Sequence, residues 1–300
     1  MLSRRQKHIL LKFFGLFSVV RGYNILVVVI AQYLASVYIF AHDKPVKSVL
    51  LDLNLLMLVL ASSATIAGGY IINNFYDSEK DLINRPRKTM LDRLVSQNTK
   101  LSFYFVLNFL AVVFASYVSF KAVIFFALYI FAIWFYSHRL KKQPMIGNIV
   151  SAILTVIPLF AIFIYYQNFE QVVFAHAIFL FLLVSMRELT KDLENIKGDL
   201  ALDYRTVPVV HGERVSKLML SLVAILTIIS AIVLILYFKI GHMYYFFYLS
   251  IGLLLLYLII LLKSNNKTHY LLLHNILKFI IVAGVFSILL IDVSIVLNRI

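Results

Sequence analysis

Long apolar runs alternate with short polar breaks along the whole chain. Runs of about twenty apolar residues match the hydrocarbon thickness of a bilayer when wound as α-helix. They place nine spans at 15–41, 48–76, 102–119, 121–138, 148–167, 171–187, 217–238, 243–262 and 270–297. The expectation is an all-α polytopic membrane protein forming a single domain over residues 1–300. Met1–Lys12 is basic and apolar with no small-residue cleavage site before the first long span, so residues 1–14 read as a retained cytoplasmic tail.

Two of the polar breaks stand out. Residues 73–88 follow an apolar run directly and carry Asn73, Asn74, Asp77, Asp81 and Arg85. Asn73, Asp77 and Asp81 are each four apart, so a helix continuing past the span stacks them on one face. The segment from Arg187 to Pro208 repeats the logic with Glu188, Asp192, Asn195 and Asp199, at spacings of four, three and four. Gly198 is expected to interrupt that helix, and Pro208 to stop any continuation. Stripes of carboxylates and amides at span ends suit Mg²⁺, which takes one or two carboxylates together with phosphate oxygens. Solvated loop ends are the plain alternative, but polar groups starting near membrane depth are costly and usually functional.

Composition narrows the class. The chain is 62% hydrophobic and 14% charged, against about a quarter charged in soluble domains. It has no cysteine, which excludes disulfides, thiolate catalysis and zinc–thiolate sites. The net charge of +14 would fit a nucleic-acid binder were it not distributed by loop. With the N-terminus inside, 21 basic residues fall on cytoplasmic segments and five outside (Lys44, Lys47, Lys121, Lys239, Arg299). That is the positive-inside pattern of an integral protein of a cell inner membrane, so membrane lipids, and no nucleic acid, are the expected surroundings. Ten of the 14 acids lie in the two cytoplasmic segments 77–92 and 188–213, as two halves of one site would require.

These motifs resemble those of the UbiA-type intramembrane prenyltransferases. Asn73-Asn74-Phe75-Tyr76-Asp77-Ser78-Glu79-Lys80-Asp81, running on to Ile83-Asn84-Arg85-Pro86, is similar to that family's N-D-x-x-D-x-x-x-D and I-N-R-P pattern. Lys191-Asp192-Leu193-Glu194-Asn195-Ile196-Lys197-Gly198-Asp199, with Arg205-Thr206-Val207-Pro208, resembles its second motif. Tyr136-Ser137-His138-Arg139-Leu140-Lys141, with Gly147-Asn148 following, resembles its Tyr-and-Lys motif, and Arg21 and Asn24 its R-P-x-N opening. The chain departs from the pattern at Gly22, at Asn74 and Asn195 where acids are usual, and at Lys88-Thr89-Met90 after Pro86. Each lost acid should weaken metal binding there or shift it to Asp192, Asp199 and Glu188.

The resemblance implies nine helices around a central cavity that opens sideways to lipid, and Mg²⁺-dependent prenyl transfer from a polyprenyl diphosphate to a lipophilic acceptor. It assigns Mg²⁺ to Asn73, Asp77, Asp81, Glu188, Asp192 and Asp199, and substrate contacts to Asn24, Asn73, Arg85, Arg139, Lys197 and Arg205. Tyr136 and Lys141 join the four aspartates as catalytic candidates, with interface anchoring as their plain alternative. The acceptor looks most like a geranylgeranylglyceryl phosphate-type lipid, with geranylgeranyl diphosphate as donor. An aromatic prenyltransferase of quinone synthesis is the nearest competitor, and a terpene cyclase on the same scaffold stays open. An ion-coupled transporter would place its acids near mid-membrane, and a CDP-alcohol phosphotransferase would want Gly, Ala and Arg where Ser78, Glu79 and Lys80 stand. The eight histidines show no metal spacing, so His138 and His176 read as structural. Lys278 and Asp292, about four turns apart, are too distant to pair.

Overall fold

A computed structural model describes residues 4–292, with the side chains of residues 4–9 and 13 left aside. The described residues form α-helices with short 3₁₀ and π turns and no strand. In chain order the helices are α1 (Arg4–Val20), α2 (Gly22–Ala35), α3 (Val46–Leu50), α4 (Leu53–Asn84), α5 (Pro86–Asp92) and α6 (Gln97–Val118). There follow α7 (Phe120–His138), α8 (Ile146–Tyr166), α9 (Gln171–Ala201), α10 (Val207–Tyr237), α11 (Tyr244–Lys263) and α12 (Lys267–Ser287). Nine of the described helical segments are long and apolar enough to cross a membrane. With backbone polar groups bonded within each helix, this is one of the two constructions a bilayer tolerates, and the protein is an integral membrane protein.

Several boundaries differ from the sequence expectation. The first span begins at Gly22, not at residue 15. Arg21 adopts a left-handed backbone with φ 51° and separates α1 from α2. The span expected at 48–76 divides, because Asp52 caps α4. Its carboxylate accepts from the Asn54 and Leu55 amides at 3.0 and 3.3 Å, ending the short α3 before it. Gly198 does not interrupt α9, which runs unbroken to Ala201. Pro208 starts a helix instead of stopping one: it lies in the first turn of α10, where a missing N–H costs nothing. The far end expected for the ninth span, 293–297, and Arg299 fall outside the described residues.

The chain forms two compact units, one of Met1–Val29 and Leu56–Leu140, the other of Ile30–Leu55 and Lys141–Ile300. In the first, α6 packs on α7 and α1 packs on α5. In the second, α9 is the hub, packed against α8, α10 and α12, with α11 against α10 and α12. Leu183, Met186, Leu220, Leu254, Tyr257 and Leu277 form its buried core. Gln32 reaches across that unit to donate to the Pro158 carbonyl at 2.9 Å, within α8. Glu213 tethers α10 to α12 by accepting from the Tyr270 hydroxyl, beside a 3.1 Å ion pair with Lys217.

Gly241 stands at φ 53° in the 3₁₀ turn before α11, and a Cβ there would run into the Ile291 carbonyl. Gly241→Ala should therefore lower the thermal midpoint in detergent, by about 2–4 °C for each kcal/mol of strain. An unchanged midpoint would show that this turn yields freely.

Candidate functional site

In the first unit, α4 stays helical past its apolar part to Asn84, so Asn73, Asp77 and Asp81 do share one face. Asp77 is buried, with Lys80 Nζ 3.7 Å from its Oδ1, while Asn73 and Asp81 are half-buried. The helix stops because Pro86 follows: Arg85 leaves the helical conformation, at φ −142° and ψ 61°, and becomes the N-cap of α5. Its amide still donates to the Asp81 carbonyl at 2.7 Å, which keeps the Arg85 backbone against the acidic face. Asn24 donates to the Tyr70 hydroxyl at 3.1 Å, and the Arg21 guanidinium lies 5.0 Å from the same ring's centroid. Tyr136 is half-buried near the end of α7, and Arg139, its C-cap, is exposed.

Asn74, which stands where an acid is usual, has turned to another task. Its Nδ2 donates to Asp92 Oδ2 at 3.1 Å and its Oδ1 accepts from Lys100 Nζ at 2.9 Å. Asp92 Oδ1 accepts from Ser18 Oγ at 2.8 Å. Lys100 is 1% exposed. The carboxamide thus bridges a buried ammonium and a buried carboxylate, satisfying one with each end. A second carboxylate at position 74 would have set like charges side by side.

In the second unit, α9 carries the other stripe, and its residues differ in their engagements. Glu188 has both oxygens in ion pairs, Oε1 with Arg187 at 3.4 Å and Oε2 with Lys191 at 3.0 Å. Asp192 accepts from Asn148 Nδ2 at 2.7 Å through Oδ2. Asp199 is 1% exposed and accepts from Thr206 Oγ1 at 3.2 Å, while its backbone carbonyl accepts from the Tyr204 amide. Those two bonds fold residues 202–206 back along α9 and set Pro208 at the start of α10. Between the two aspartates, the Asn195 Oδ1 atom is buried and has no hydrogen-bond partner. Leaving a buried carbonyl unpaired costs about 1–3 kcal/mol, so this oxygen, one helical turn along α9 from each aspartate, is open to a cation or a donor.

Lys141 is buried and lies with Lys142 over the Tyr204 ring, at 5.9 and 4.9 Å, and the Arg205 amide donates to the Lys142 carbonyl at 3.0 Å. Lys141 and the Arg205 backbone are therefore brought together with the Asp199 loop. The side chains of Lys197 and Arg205 are exposed. Among the described residues no three His, Cys, Asp or Glu side chains converge into a ready metal cage. The oxygen-only donor set of Asp192, Asn195 and Asp199 nevertheless matches a hard cation.

One contributor has no role legible in the sequence. Asn148, noticed only as following Gly147, anchors Asp192. Arg21, part of the opening motif, takes a left-handed backbone that the sequence does not announce. The second unit also holds a partly open apolar cavity of about 140 Å³ along the first half of α9, bordered by Ala35, Phe163, Phe174, Leu183, Phe247 and Gly284.

Residues 23–291 match the model of the UbiA prenyltransferase family. The digeranylgeranylglyceryl phosphate synthase of Thermococcus sibiricus is 30% identical over 217 residues, 72% of this chain and 75% of its own. The Thermococcus gammatolerans protein of the same name is 32% identical over 179 residues, 59% of this chain and 64% of its own. Among solved structures, one of a digeranylgeranylglyceryl phosphate synthase superposes with a TM-score of 0.69 at 20% identity, covering 92% of this chain and 97% of that one. A UbiA homologue from Archaeoglobus fulgidus, bound to GPP and Mg²⁺, gives 0.67 at 14% identity, covering 91% and 99%. With the acidic stripes of α4 and α9 in place and a family match over nearly the whole chain, this protein belongs to the UbiA prenyltransferase family.

Proposed function

We propose that the protein transfers a geranylgeranyl group from its diphosphate to the hydroxyl of a geranylgeranylglyceryl phosphate-type lipid, in one catalytic domain that needs Mg²⁺. The observation that carries this reading is the α9 stripe. Asp192 is oriented by Asn148, Asp199 by Thr206, and an unpaired Asn195 oxygen lies between them. Asp192 and Asp199 with Asn195, and Asp77 and Asp81 with Asn73, would hold Mg²⁺. Glu188 would join only by giving up Arg187 and Lys191. Bound Mg²⁺ supplies charge neutralisation of the leaving diphosphate.

The chain's own residues do the rest. Arg85, Lys141, Lys197 and Arg205 bind and orient the diphosphate oxygens, guanidinium groups by bidentate pairing. As the allylic carbon–oxygen bond breaks, its electron pair leaves with the diphosphate, where fixed cations stabilise it most. Tyr136 and Arg139 stand at the same span end to orient the reacting groups. The acceptor oxygen then bonds to the allylic carbon and gives its proton to the released diphosphate. The apolar cavity supports a polyprenyl donor: Leu183, on its border, is nine residues from Asp192, roughly 13 Å along the helix. The names of the Thermococcus relatives support the glycerol phosphate acceptor. The charge distribution supports a cell inner membrane location with the N-terminus and both acidic segments on the cytoplasmic side.

Purified protein is to be incubated with radiolabelled geranylgeranyl diphosphate and Mg²⁺, with geranylgeranylglyceryl phosphate in one series and phenolic acids in another. Transfer to the glycerol phosphate lipid is expected, and EDTA should abolish it. Transfer only to a ring would move the enzyme to quinone synthesis, and a product indifferent to EDTA would overturn the metal-held diphosphate.

A further inference from the structure

α1 ends before Arg21, the first residue of the opening motif, and the family match begins only at residue 23. Its residues are sorted along its length. Arg4, Arg5, Lys7 and Lys12 fall in the first nine, the last eight are apolar or small, and it holds no acid. Arg21, left-handed at φ 51°, terminates it, so α1 is not a straight extension of the span that begins at Gly22. It meets the protein by its small side. A Cβ on Gly15 would stand 3.1 Å from the Leu91 carbonyl and 3.3 Å from a Val95 methyl, and Ser18 donates to Asp92 at 2.8 Å. The larger apolar side is left uncovered. Leu10, Phe14 and Phe17, at i, i+4 and i+7, form one stripe, and with Leu11 they are between 46% and 52% exposed. Met90 on α5 and Leu94 just past it, one turn apart, are exposed too. The Leu94 Cβ lies 3.6 Å from the Gly15 position, which continues the patch.

Neither water nor the bilayer core suits this helix. Water would meet phenylalanine and leucine side chains in a contiguous apolar patch, of the kind that marks a contact surface. The hydrocarbon core would take in four basic residues with no acid on the same helix, at high cost. The boundary between the two suits both halves: the stripe enters the acyl region while basic side chains stay among the headgroups. Continuity of the chain puts α1 there, because two residues past Val20 a membrane-crossing helix begins. Basic residues gathered next to a span are drawn to negatively charged lipid headgroups. Asp92, the acid at the α1–α5 seam, is buried and held by Ser18 and Asn74, so it does not face those headgroups.

We propose that α1, with the adjoining end of α5, is an interfacial helix that binds the anionic phospholipid headgroups of the leaflet it enters, with the Leu10/Phe14/Phe17 stripe set against the acyl chains. The inference stands independently of the acceptor proposed above. The chain has one tryptophan, Trp134, in α7. Trp134→Phe combined with Phe14→Trp therefore puts a single fluorophore on the stripe of the full-length protein. The protein is reconstituted in phosphatidylcholine vesicles with about one-third phosphatidylglycerol, bromine being carried on the acyl chains of one lipid or the other. Brominated phosphatidylglycerol should quench the fluorophore about twofold or more beyond its mole share. That excess should vanish, with quenching itself retained, in about 1 M salt and when Arg4→Gln, Arg5→Gln, Lys7→Gln and Lys12→Gln are combined. Leu10→Trp in the same background repeats the measurement one turn away, and thermal midpoints confirm that each variant is folded. Absence of quenching by either lipid would place the stripe in water or under protein, a second copy included. Quenching in proportion to mole share would mean lipid contact without selection by charge. Either result overturns the inference.

Discussion

Asp192→Ala and Asp77→Ala are each expected to abolish Mg²⁺-dependent prenyl transfer, a loss of about three orders of magnitude or more. Ionising an allylic diphosphate in an apolar setting depends on neutralising the leaving group, and electrostatic stabilisation of this kind is usually the largest single contribution to rate. Removing one well-placed group of the sort typically costs 10²–10³ in kcat, and a carboxylate that also holds a metal is worth more. Asp192 is the sharper test because its environment is explicit. Asn148 donates to one of its oxygens at 2.7 Å, so alanine also leaves that amide without its acceptor. Asp192→Asn keeps the shape and an oxygen while removing the charge. If the charge is what matters, both variants lose activity and only alanine loses stability. Radiometric transfer and a thermal melt on the same preparations separate the two effects, and full turnover in either Asp192→Asn or Asp77→Ala would sink the two-stripe site.

The second large effect falls on folding. Asp92→Ala should destabilise the first unit by about 3–5 kcal/mol, the range for removing one member of a buried charged set. Lys100 is 1% exposed and its ammonium reaches Asp92 only through the Asn74 carboxamide. Without the carboxylate, a buried positive charge loses its counterion, and Ser18 Oγ and Asn74 Nδ2 lose their acceptor. At about 2–4 °C per kcal/mol the thermal midpoint should drop by roughly 6–20 °C. Lys100→Met in the same background should recover part of the loss, since the uncompensated charge goes with it. A midpoint within a degree of wild type for Asp92→Ala would mean that water reaches Lys100 and that the network carries no strong restraint.

Much of this protein is visible in one dimension. The span count follows from lengths of apolar sequence, because a bilayer imposes the same length on every helix. The Asn73/Asp77/Asp81 and Glu188/Asp192/Asn195/Asp199 stripes follow from the helical period, and α4 and α9 do continue far enough to carry them. Errors came where local rules met packing. Gly198 carries a propensity penalty of only about 1 kcal/mol, which the neighbours of α9 overrule. Pro208 reads as a stop because proline excludes a helix that precedes it, yet the same property makes it a helix start. Arg21 lies within an apolar run that gives no hint of a break.

The sequence by itself determined the class of molecule, the span count, the two stripes of carboxylates and amides and the family, since each depends on residue type and spacing along one helix or run. The tertiary structure alone decided what each polar side chain does. Asn74 and Asn195 are the same residue, each standing where an acid is usual, and sequence offers one explanation for both. In the folded chain Asn74 is consumed by Lys100 and Asp92, while the Asn195 oxygen is buried with no hydrogen-bond partner. Likewise Asp52 caps a helix and takes a bond from Tyr165, and Asp192 meets an asparagine 44 residues away. Hydrogen bonds are short and directional, so a side chain's role is set by the atoms within about 3 Å of it, and these come from segments whose separation in sequence carries no signal.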